Sequence, residues 1–484
     1  MMLYFSCNIF REGMALSKTN YLNFSAMGKP TVKQMLTTVV MLSVPAILAQ
    51  LTSVVMQYID AAMVGNIGAD ASASIGLVST TTWLLSGLCS SLAMGFSVQI
   101  AQLVGAGRDD DARSTFRQGI LLCLSFGLLI CAVALCISPN LPTWLGGEPE
   151  IKRDASRYFF VYALSLPSPQ MRMLFSSSLQ CSGDMKTPSF LNIMMCFLDV
   201  VFNFFFIYPT RKITLFGFEL AVFGAGLGVM GAAIGTALAD YVTMLFMMLV
   251  CIFKSDKLSF RLGGNWRIRK NTLLAALRIS VPSAFEHAIM CTGYICSTLI
   301  IAPLGTVSVA AHSLAVTAES FCYMPGYGIG SASTTIVGQS IGAERRDIAK
   351  RFSWCAVLLG VSVMTFMGFL MFFGAEFMFS LLSSDVLVRS LGADILKIEA
   401  FAEPLYAASI VCTGALRGAG DTLVPGILNL VSMWGVRITL SLLLVPHLGL
   451  YGVWIAMALE LCFRGIIYLV ILARGKWLRR QVGI

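Results

Sequence analysis

The sequence predicts an all-α polytopic membrane protein whose 12 transmembrane helices form two parallel six-helix repeats, an N-lobe and a C-lobe. The 484-residue chain is 57% hydrophobic and only 12% charged, whereas soluble domains carry about 25% charged residues. Apolar runs of about 20 residues, long enough to cross a bilayer, recur from end to end, and the two halves of the chain share motifs. Each span must be helical because a lipid-facing backbone has to satisfy its own hydrogen bonds.

The apolar runs locate the individual spans. They predict spans at residues 35–64, 73–103, 118–138, 158–180, 188–209, 224–253, 273–302, 308–338, 352–374, 394–416, 423–446 and 450–473. Five regions are expected on this basis: a cytoplasmic N-terminal segment (1–34), the N-lobe bundle (35–253), a cytoplasmic linker between the lobes (254–272), the C-lobe bundle (273–473) and a basic cytoplasmic tail (474–484).

Loop charges predict the orientation of the chain. Lys and Arg cluster in loops that share one side of the membrane, for example Arg108, Arg113 and Arg117 and the segment from Lys254 to Arg278. Because cytoplasmic loops are enriched in basic residues, we expect both termini in the cytoplasm. The same rule accounts for the net charge of +9, so the charge does not indicate a nucleic-acid partner.

The second half of the chain repeats the first at a shift of 237 positions. Pro45 recurs as Pro282 (282 − 45 = 237), and Gly183-Asp184 recurs as Gly420-Asp421. The shift spans six helices, an even number, so both halves insert with the same orientation. Parallel repeats of this kind are typical of transporters that bind substrate near the midplane and alternate access by rocking. We therefore expect a transporter for a small-molecule substrate in the lipid bilayer.

The repeated motifs resemble the MATE (multidrug and toxic compound extrusion) family of cation-coupled antiporters. The resemblance is carried by the segments 58–65, 104–108, 179–188, 310–312 and 414–422, with sequences YIDAAMVG, VGAGR, LQCSGDMKTP, AAH and GALRGAGDT. It implies export of organic cations, drugs or other xenobiotics in exchange for H⁺ or Na⁺, with no cofactor. The wider superfamily also contains flippases for lipid-linked oligosaccharides. That alternative predicts a basic central cavity, and only Arg437 offers an obvious intramembrane cation.

Acidic residues at membrane depth are functional candidates because burying them there is expensive. Asp60 in span 1 and Asp199 in span 5 match the acidic pair that the resemblance implies in the N-lobe. A desolvated carboxyl can take up a proton, and two carboxylates can also provide the oxygen ligands that hard cations prefer. Asn203 lies one turn after Asp199, and Thr236 matches a hydroxyl that the family uses. The alternative is a purely structural, hydrogen-bonded Asp.

The C-lobe has its own candidates, which break the repeat. Glu286, one turn after Pro282, resembles the C-lobe glutamate of several MATE branches and maps to Ala49 in the first half. His287 beside it is expected to pack between helices. His312 belongs to the Ala-Ala-His motif and serves either the substrate cavity or helix packing.

Glu403 and Arg437 are a further candidate charge pair. An unpaired Arg in lipid is very unfavourable, so we expect Arg437 to pair with Glu403 or Glu286. Some MATE members have an acid at the position of Tyr406, and Glu403 either substitutes for that acid or serves only as the partner of Arg437.

Other charged residues have simple structural interpretations. Glu460 and Arg464 have i, i+4 spacing and are expected to form an ion pair. Asp184 and Asp421 follow glycines in loops and are expected to cap the next helix.

Competing classes of protein lack their motifs in this sequence. There is no GxxxxGK[ST] loop for nucleotide hydrolysis and no H-E-x-x-H or G-x-S-x-G site, so we expect neither a primary pump nor an enzyme. We expect a monomer in the plasma membrane, the inner membrane of a bacterial cell. No metal is expected beyond a Na⁺ ion at Asp60 and Asp199.

Overall fold

The computed structural model describes residue 28 and residues 30–215, 218–255, 257–261, 265–383 and 385–479. Most of the predicted N-terminal segment (1–34) lies outside these residues. The end of the predicted tail (474–484) and parts of the predicted linker (254–272) also lie outside them.

Six spans form the N-lobe. They are span 1 (Val32–Gly65), span 2 (Ala69–Gly105), span 3 (Asp109–Ile137), span 4 (Pro149–Ser165 and then Pro167–Cys181), span 5 (Lys186–Ile207) and span 6 (Gly228–Phe253), with a short helix Leu141–Trp144 before span 4.

Six further spans form the C-lobe. They are span 7 (Lys270–Ile301, continued by the 3₁₀ turn Ala302–Leu304), span 8 (Thr306–Gly342), span 9 (Arg346–Leu382), span 10 (Val386–Ala400 and then Glu403–Gly418), span 11 (Leu423–Leu448) and span 12 (Leu450–Arg474), followed by the 3₁₀ turn Lys476–Arg479.

The twelve predicted spans are all present. Within the described ranges, nine helices are long and apolar enough to cross a membrane. The other three spans are the more polar span 8 and spans 4 and 10, each of which is broken into two helices. Helices also extend beyond the apolar runs that predicted them. Span 3 begins at Asp109 rather than residue 118, because three acids in its first turn stabilise the helix N-terminus where the chain is already polar.

Prolines explain the two breaks. Span 4 resumes at Pro167 and span 10 resumes one residue before Pro404, and these prolines are repeat equivalents (404 − 167 = 237). Proline lacks the N–H that would continue the hydrogen-bond ladder and clashes with the preceding turn. Pro45 and Pro282 lie inside helices that continue through them.

Two local structures were not predicted. The segment between spans 5 and 6 forms an antiparallel hairpin of strands Pro209–Leu215 and Phe218–Ala225. The middle of span 11, Val431–Ile438, is a π-helix. Directly after it, the side-chain hydroxyl of Thr439 donates to the carbonyl of Trp434 at 3.0 Å, which is also a separation of five residues. Such π-turns are uncommon and often occur at functional sites.

The lobes meet at two glycines that are repeat equivalents, Gly105 and Gly342 (342 − 105 = 237). A Cβ on Gly105 would lie 2.0 Å from the Gln339 carbonyl oxygen, and one on Gly342 would lie 1.9 Å from that of Gln102. Small residues allow such close backbone approach between membrane helices.

The glutamines at this contact donate hydrogen bonds to the last residues of helices in the opposite lobe. Gln102 Nε2 donates to the Gly418 carbonyl at 3.2 Å, and Gln339 Nε2 donates to that of Cys181 at 2.7 Å. The acceptors are again repeat equivalents (418 − 181 = 237). The repeat is therefore a pseudo-two-fold arrangement in which the two lobes contact each other at this end.

Candidate functional site

The N-lobe candidates lie together. Asn203 Nδ2 donates to Asp60 Oδ1 at 3.0 Å and to Asp199 Oδ2 at 3.2 Å. The two carboxyl groups are also within hydrogen-bonding range of each other, and Thr236 contacts Asp199. The structure thus brings all four predicted residues into one cluster, which spans 1, 5 and 6 build.

The cluster is buried at Asp199 and Asn203, partly buried at Asp60 and Thr236, and has unused oxygen atoms. Asp199 is 0% exposed and Asn203 is 1% exposed. Among the described residues, Asp199 Oδ1 and Asn203 Oδ1 have no full hydrogen bond. Two carboxylates in contact repel each other unless a proton or a cation lies between them. The arrangement can therefore bind one H⁺ or one small cation.

A second N-lobe pair was not predicted. Arg172 in span 4 forms an ion pair with Asp240 in span 6, and its Nη1 donates to Asn192 Oδ1 at 3.1 Å. A cavity of about 140 Å³ is lined by Arg172, Asp240 and Thr236. The cavity therefore extends from the Arg172–Asp240 pair to Thr236, the residue of span 6 that contacts Asp199.

Glu286 is held by the C-lobe. Arg417 Nη2 donates to both of its oxygens at 3.0 and 3.1 Å, and Asn429 Nδ2 donates to Oε1 at 2.6 Å. Asn429 is the repeat equivalent of Asn192 (429 − 192 = 237). Each of the two asparagines therefore forms a hydrogen bond with a charged side chain of its own lobe.

The predicted partners of Arg437 were wrong. Arg437 pairs neither with Glu403 nor with Glu286; its Nη2 lies 3.0 Å from Glu460 Oε2. The π-helix of span 11 places Arg437 against span 12, on the side where Glu460 lies. Glu460 also forms the predicted i, i+4 pair with Arg464, at 3.3 Å, so one buried carboxylate serves two arginines.

Glu403 belongs instead to a buried acidic cluster with two residues that were not predicted, Glu319 and Glu399. Glu399 and Glu403 are 0% exposed and Glu319 is 5% exposed. The four carboxyl oxygens of Glu399 and Glu403 have no full hydrogen bond among the described residues, although the Cys322 thiol lies close to Glu403. A buried charge without a partner is expensive, so a proton on these carboxyls would remove that cost.

His312 and Tyr406 have different surroundings. The His312 ring packs edge-on against Trp454 with 5.7 Å between ring centroids, and His312 is not among the described residues that line the central cavity. Tyr406 lines that cavity, and its ring lies 5.6 Å from the guanidinium of Arg464. His287 packs against Gly87 of span 2, where a Cβ would lie 2.9 Å from its ring.

A central cavity of about 640 Å³ lies between the lobes. Its walls are rich in hydroxyl side chains, including those of Ser176, Ser331 and Thr413. Among the described residues, the charged side chains that line it are those of Arg172, Glu286, Arg417 and Arg464, with His287 next to Glu286.

This lining corrects the expectation that only Arg437 is an obvious intramembrane cation, because Arg172, Arg417 and Arg464 line the cavity. The motif containing Arg417 was interpreted as a loop, but its helix continues to Gly418, so Arg417 reaches the cavity from span 10. Arg464 was interpreted only as the partner of Glu460, but it also contributes to the cavity wall.

Comparison with known proteins agrees with this architecture. The model of the family MatE matches residues 45–205 and 282–443, well over half of the chain. The two matches begin 237 positions apart (282 − 45), which is the shift of the internal repeat.

Curated relatives match along almost the full length. The probable multidrug resistance protein NorM of Thermotoga maritima is 27% identical over 466 residues, which are 94% of this chain and 96% of that protein. The protein with the same description from Mesorhizobium japonicum is 28% identical and covers 90% of this chain and 92% of its own length.

Solved structures share the fold. A MATE protein in complex with MaD3S superimposes with a TM-score of 0.85 at 20% identity, covering 96% of this chain and 100% of that one. The outward-facing conformation of a multidrug resistance MATE family transporter gives 0.83 at 19% identity, covering 94% and 100%. The repeated family match, the two-lobe fold and the full-length relatives lead to one conclusion: the chain belongs to the MATE family and is a multi-pass membrane transporter, not an enzyme.

Proposed function

We propose that the protein is a secondary active antiporter that exports drugs or other xenobiotics in exchange for H⁺ or Na⁺, by alternating access between its two lobes. The observation that carries this proposal is the hydrogen-bonded cluster of Asp60, Asp199 and Asn203, which the repeat does not reproduce. Asp60 maps to Ser297 and Asp199 maps to Val436 in the C-lobe. A pair of carboxyls in contact, bridged by one amide, is suited to bind one cation per cycle.

Span 1 can transmit occupancy of this cluster to the other lobe. It carries Asp60 and also packs closely on span 8 of the C-lobe, where a Cβ on Gly328 would lie 2.7 Å from the backbone nitrogen of Ile47. A bound cation that draws Asp60 toward Asp199 would therefore alter a contact between the lobes. Binding with different affinity in two states is what shifts a conformational equilibrium.

Glu286 has a similar position in the other lobe. Span 7, which carries Glu286, packs on span 2, where a Cβ on Gly95 would lie 2.1 Å from Ser280 Oγ. Since Glu286 is already engaged by Arg417 and Asn429, we assign it to the control of the central cavity and the primary cation site to the N-lobe.

The names of the relatives support drug or xenobiotic export, because two full-length relatives are described as probable multidrug resistance proteins. One observation favours a second function, the flipping of a lipid-linked oligosaccharide: the cavity contains the arginines that such a phosphate-bearing substrate would need. We also propose that the protein is a monomer in a bacterial inner membrane. Both termini would lie in the cytoplasm, because this orientation puts the basic loops inside.

Transport by purified protein in proteoliposomes tests the antiporter proposal. A proton gradient and a sodium gradient are imposed separately, and uptake of a fluorescent drug is followed. We expect one gradient to drive uptake against the drug's own gradient, and the effective gradient identifies the ion. Uptake that requires ATP and ignores both gradients would contradict the proposal.

Alternating access predicts an effect at the glycine contact between the lobes. Gly342→Val would place a side chain into the Gln102 backbone, 1.9 Å from its oxygen at Cβ, so the lobes must separate at that end. We expect the buried Cys181, whose carbonyl accepts from Gln339, to react severalfold faster with N-ethylmaleimide, as measured by mass spectrometry, while transport falls.

Gly76→Val is the matched control, because a Cβ at Gly76 meets nothing within 4 Å. Gly105→Val, the repeat equivalent, should reproduce the effect if Gly342→Val disturbs folding. Unchanged labelling of Cys181 in both interface variants, each with a normal melting temperature, would show that this contact does not close the molecule.

A further inference from the structure

Three arginines in the wall of the central cavity are more exposed than the carboxylates that pair with them. The exposed fractions of the side chains are 18% for Arg172 against 10% for Asp240, 24% for Arg417 against 7% for Glu286, and 8% for Arg464 against 1% for Glu460. Asp240 and Glu460 are not among the described residues that line the cavity, whereas Glu286 lines it beside Arg417. A ligand in the cavity therefore meets only the cationic member of two of these pairs, and in the third pair it meets the more exposed guanidinium beside the carboxylate.

Each lobe contributes one of the two more exposed arginines. Arg172 belongs to span 4 and Arg417 to span 10. Their repeat equivalents, Ser409 and Gln180, also line the cavity. The repeat thus places two pairs of equivalent polar residues in the cavity wall. One member of each pair is an arginine.

Both guanidinium groups retain donors for a ligand. Arginine has five N–H donors in a fixed fork. The hydrogen bonds of Arg172 to described residues use Nε and Nη1. Those of Arg417 use Nη2, which leaves its Nη1 without a partner among the described residues. Guanidinium forks bind carboxylate and phosphate groups in a bidentate manner.

A cationic ligand would find less in this cavity. Glu286 is the sole carboxylate among the described residues that line it. Its oxygens already accept hydrogen bonds from Arg417 and Asn429. A ligand cation would have to displace Arg417 from Glu286 and would lie close to cationic guanidinium groups.

We propose that the central cavity binds organic anions and zwitterions, with a carboxylate, sulfonate or phosphate group held between Arg172 and Arg417. The neutral part of the ligand lies along the hydroxyl-lined walls, where Ser176, Ser331 and Thr413 supply further hydrogen bonds. This assignment rests on the proposed function, because it takes the central cavity as the substrate site. It replaces organic cations by acidic compounds as the preferred substrates.

Substitution of Glu286 is expected to have opposite effects on the binding of anions and of cations. Glu286 competes with the anionic ligand for Arg417, so Glu286→Gln should free part of that guanidinium and retain or tighten anion binding. A cation site at Glu286 predicts the opposite, because the same variant would remove the carboxylate to which the cation binds. The two substrate classes are therefore separated by one substitution.

The test uses two dyes with the same ring system and opposite charge, fluorescein as the anion and rhodamine 6G as the cation. Binding to the purified full-length protein in detergent is followed by fluorescence anisotropy. We expect fluorescein to bind more tightly than rhodamine 6G. Arg172→Gln and Arg417→Gln should each weaken fluorescein binding by about tenfold or more, since hydrogen bonds to charged groups are the stronger class. Arg153→Gln, at an exposed position of span 4, is the matched control and should change nothing.

Folding and charge are separated by further variants. Arg417→Lys keeps the charge and loses the fork, so it should retain part of the fluorescein affinity, and melting temperatures show which variants are folded. Tighter binding of rhodamine 6G, lost in Glu286→Gln, would overturn the proposal. So would fluorescein binding that is unchanged in folded Arg172→Gln and Arg417→Gln proteins.

Two additional experiments identify the source of the anion and distinguish failure of the anion assignment from failure of the antiporter proposal. Displacement of fluorescein by an aromatic carboxylate supports a soluble acid, and displacement by an isoprenyl diphosphate alone supports a lipid-linked phosphate; displacement by neither would contradict an anion site. In proteoliposomes, gradient-driven transport of rhodamine 6G without fluorescein would refute the anion assignment and leave the antiporter proposal standing. Binding of fluorescein without gradient-driven transport of either dye would refute the antiporter proposal instead.

Discussion

The double variant Asp60→Asn with Asp199→Asn is expected to lose most of its gradient-driven transport. Asparagine keeps the size of aspartate and can still bond to Asn203, but it can neither take up the coupling proton nor offer a charged oxygen to Na⁺. Typical coupling free energies of 1–3 kcal/mol correspond to factors of roughly 5 to 150. We therefore expect the rate of gradient-driven uptake to decrease by a factor in that range. The measurement is the initial rate of drug uptake into proteoliposomes under the effective ion gradient.

Asp70→Asn is the matched control for that experiment, because Asp70 is exposed at the start of span 2. Downhill exchange of substrate without a gradient should persist in the double variant, which separates lost coupling from lost folding. Coupling that survives when Glu286→Gln is added to the double variant would show that the ion binds elsewhere. The acidic cluster of Glu319, Glu399 and Glu403 would then be the next candidate.

The fold was predictable from the sequence because its signals are local or periodic. Each apolar run indicates a span by itself, and the constant shift from Pro45 to Pro282 indicates how the two halves relate. The N-lobe cluster was predictable for a similar reason, since Asn203 follows Asp199 by one helical turn. Asp60 joined them through a family resemblance rather than through any spacing in the chain.

The missed features depend on how helices rotate against one another. Asp240 and Arg172 are 68 positions apart, and nothing in the sequence between them indicates that they meet. Arg437 was assigned to the wrong carboxylate because a π-helix turns its part of span 11 toward span 12. Glu319 and Glu399 carried a usable signal that was overlooked: each is an acid at membrane depth, which is a functional candidate by default.

The largest loss of stability is expected from Glu460→Gln. Glu460 lies 3.0 Å from Arg437 and 3.3 Å from Arg464, and all three side chains are at least nine-tenths buried. Removing the carboxylate leaves two buried guanidinium groups without their shared counterion. Breaking a buried ion pair by removing one partner costs about 3–5 kcal/mol. We expect a marked fall in the apparent melting temperature in detergent, measured by fluorescence-detected size-exclusion chromatography after heating.

Glu376→Gln is the matched control, because Glu376 is 79% exposed in its ion pair with Lys397 and exposed pairs contribute little. Adding Arg437→Met and Arg464→Met to Glu460→Gln should recover most of the lost stability, since buried ion pairs can often be replaced by apolar side chains without loss. A normal melting temperature in Glu460→Gln alone would mean that another carboxylate balances Arg437. Glu319 and Glu399 are the nearby candidates, because both interact electrostatically with Arg437. The buried acidic cluster would then be the counterion of span 11 rather than a set of neutral carboxyls.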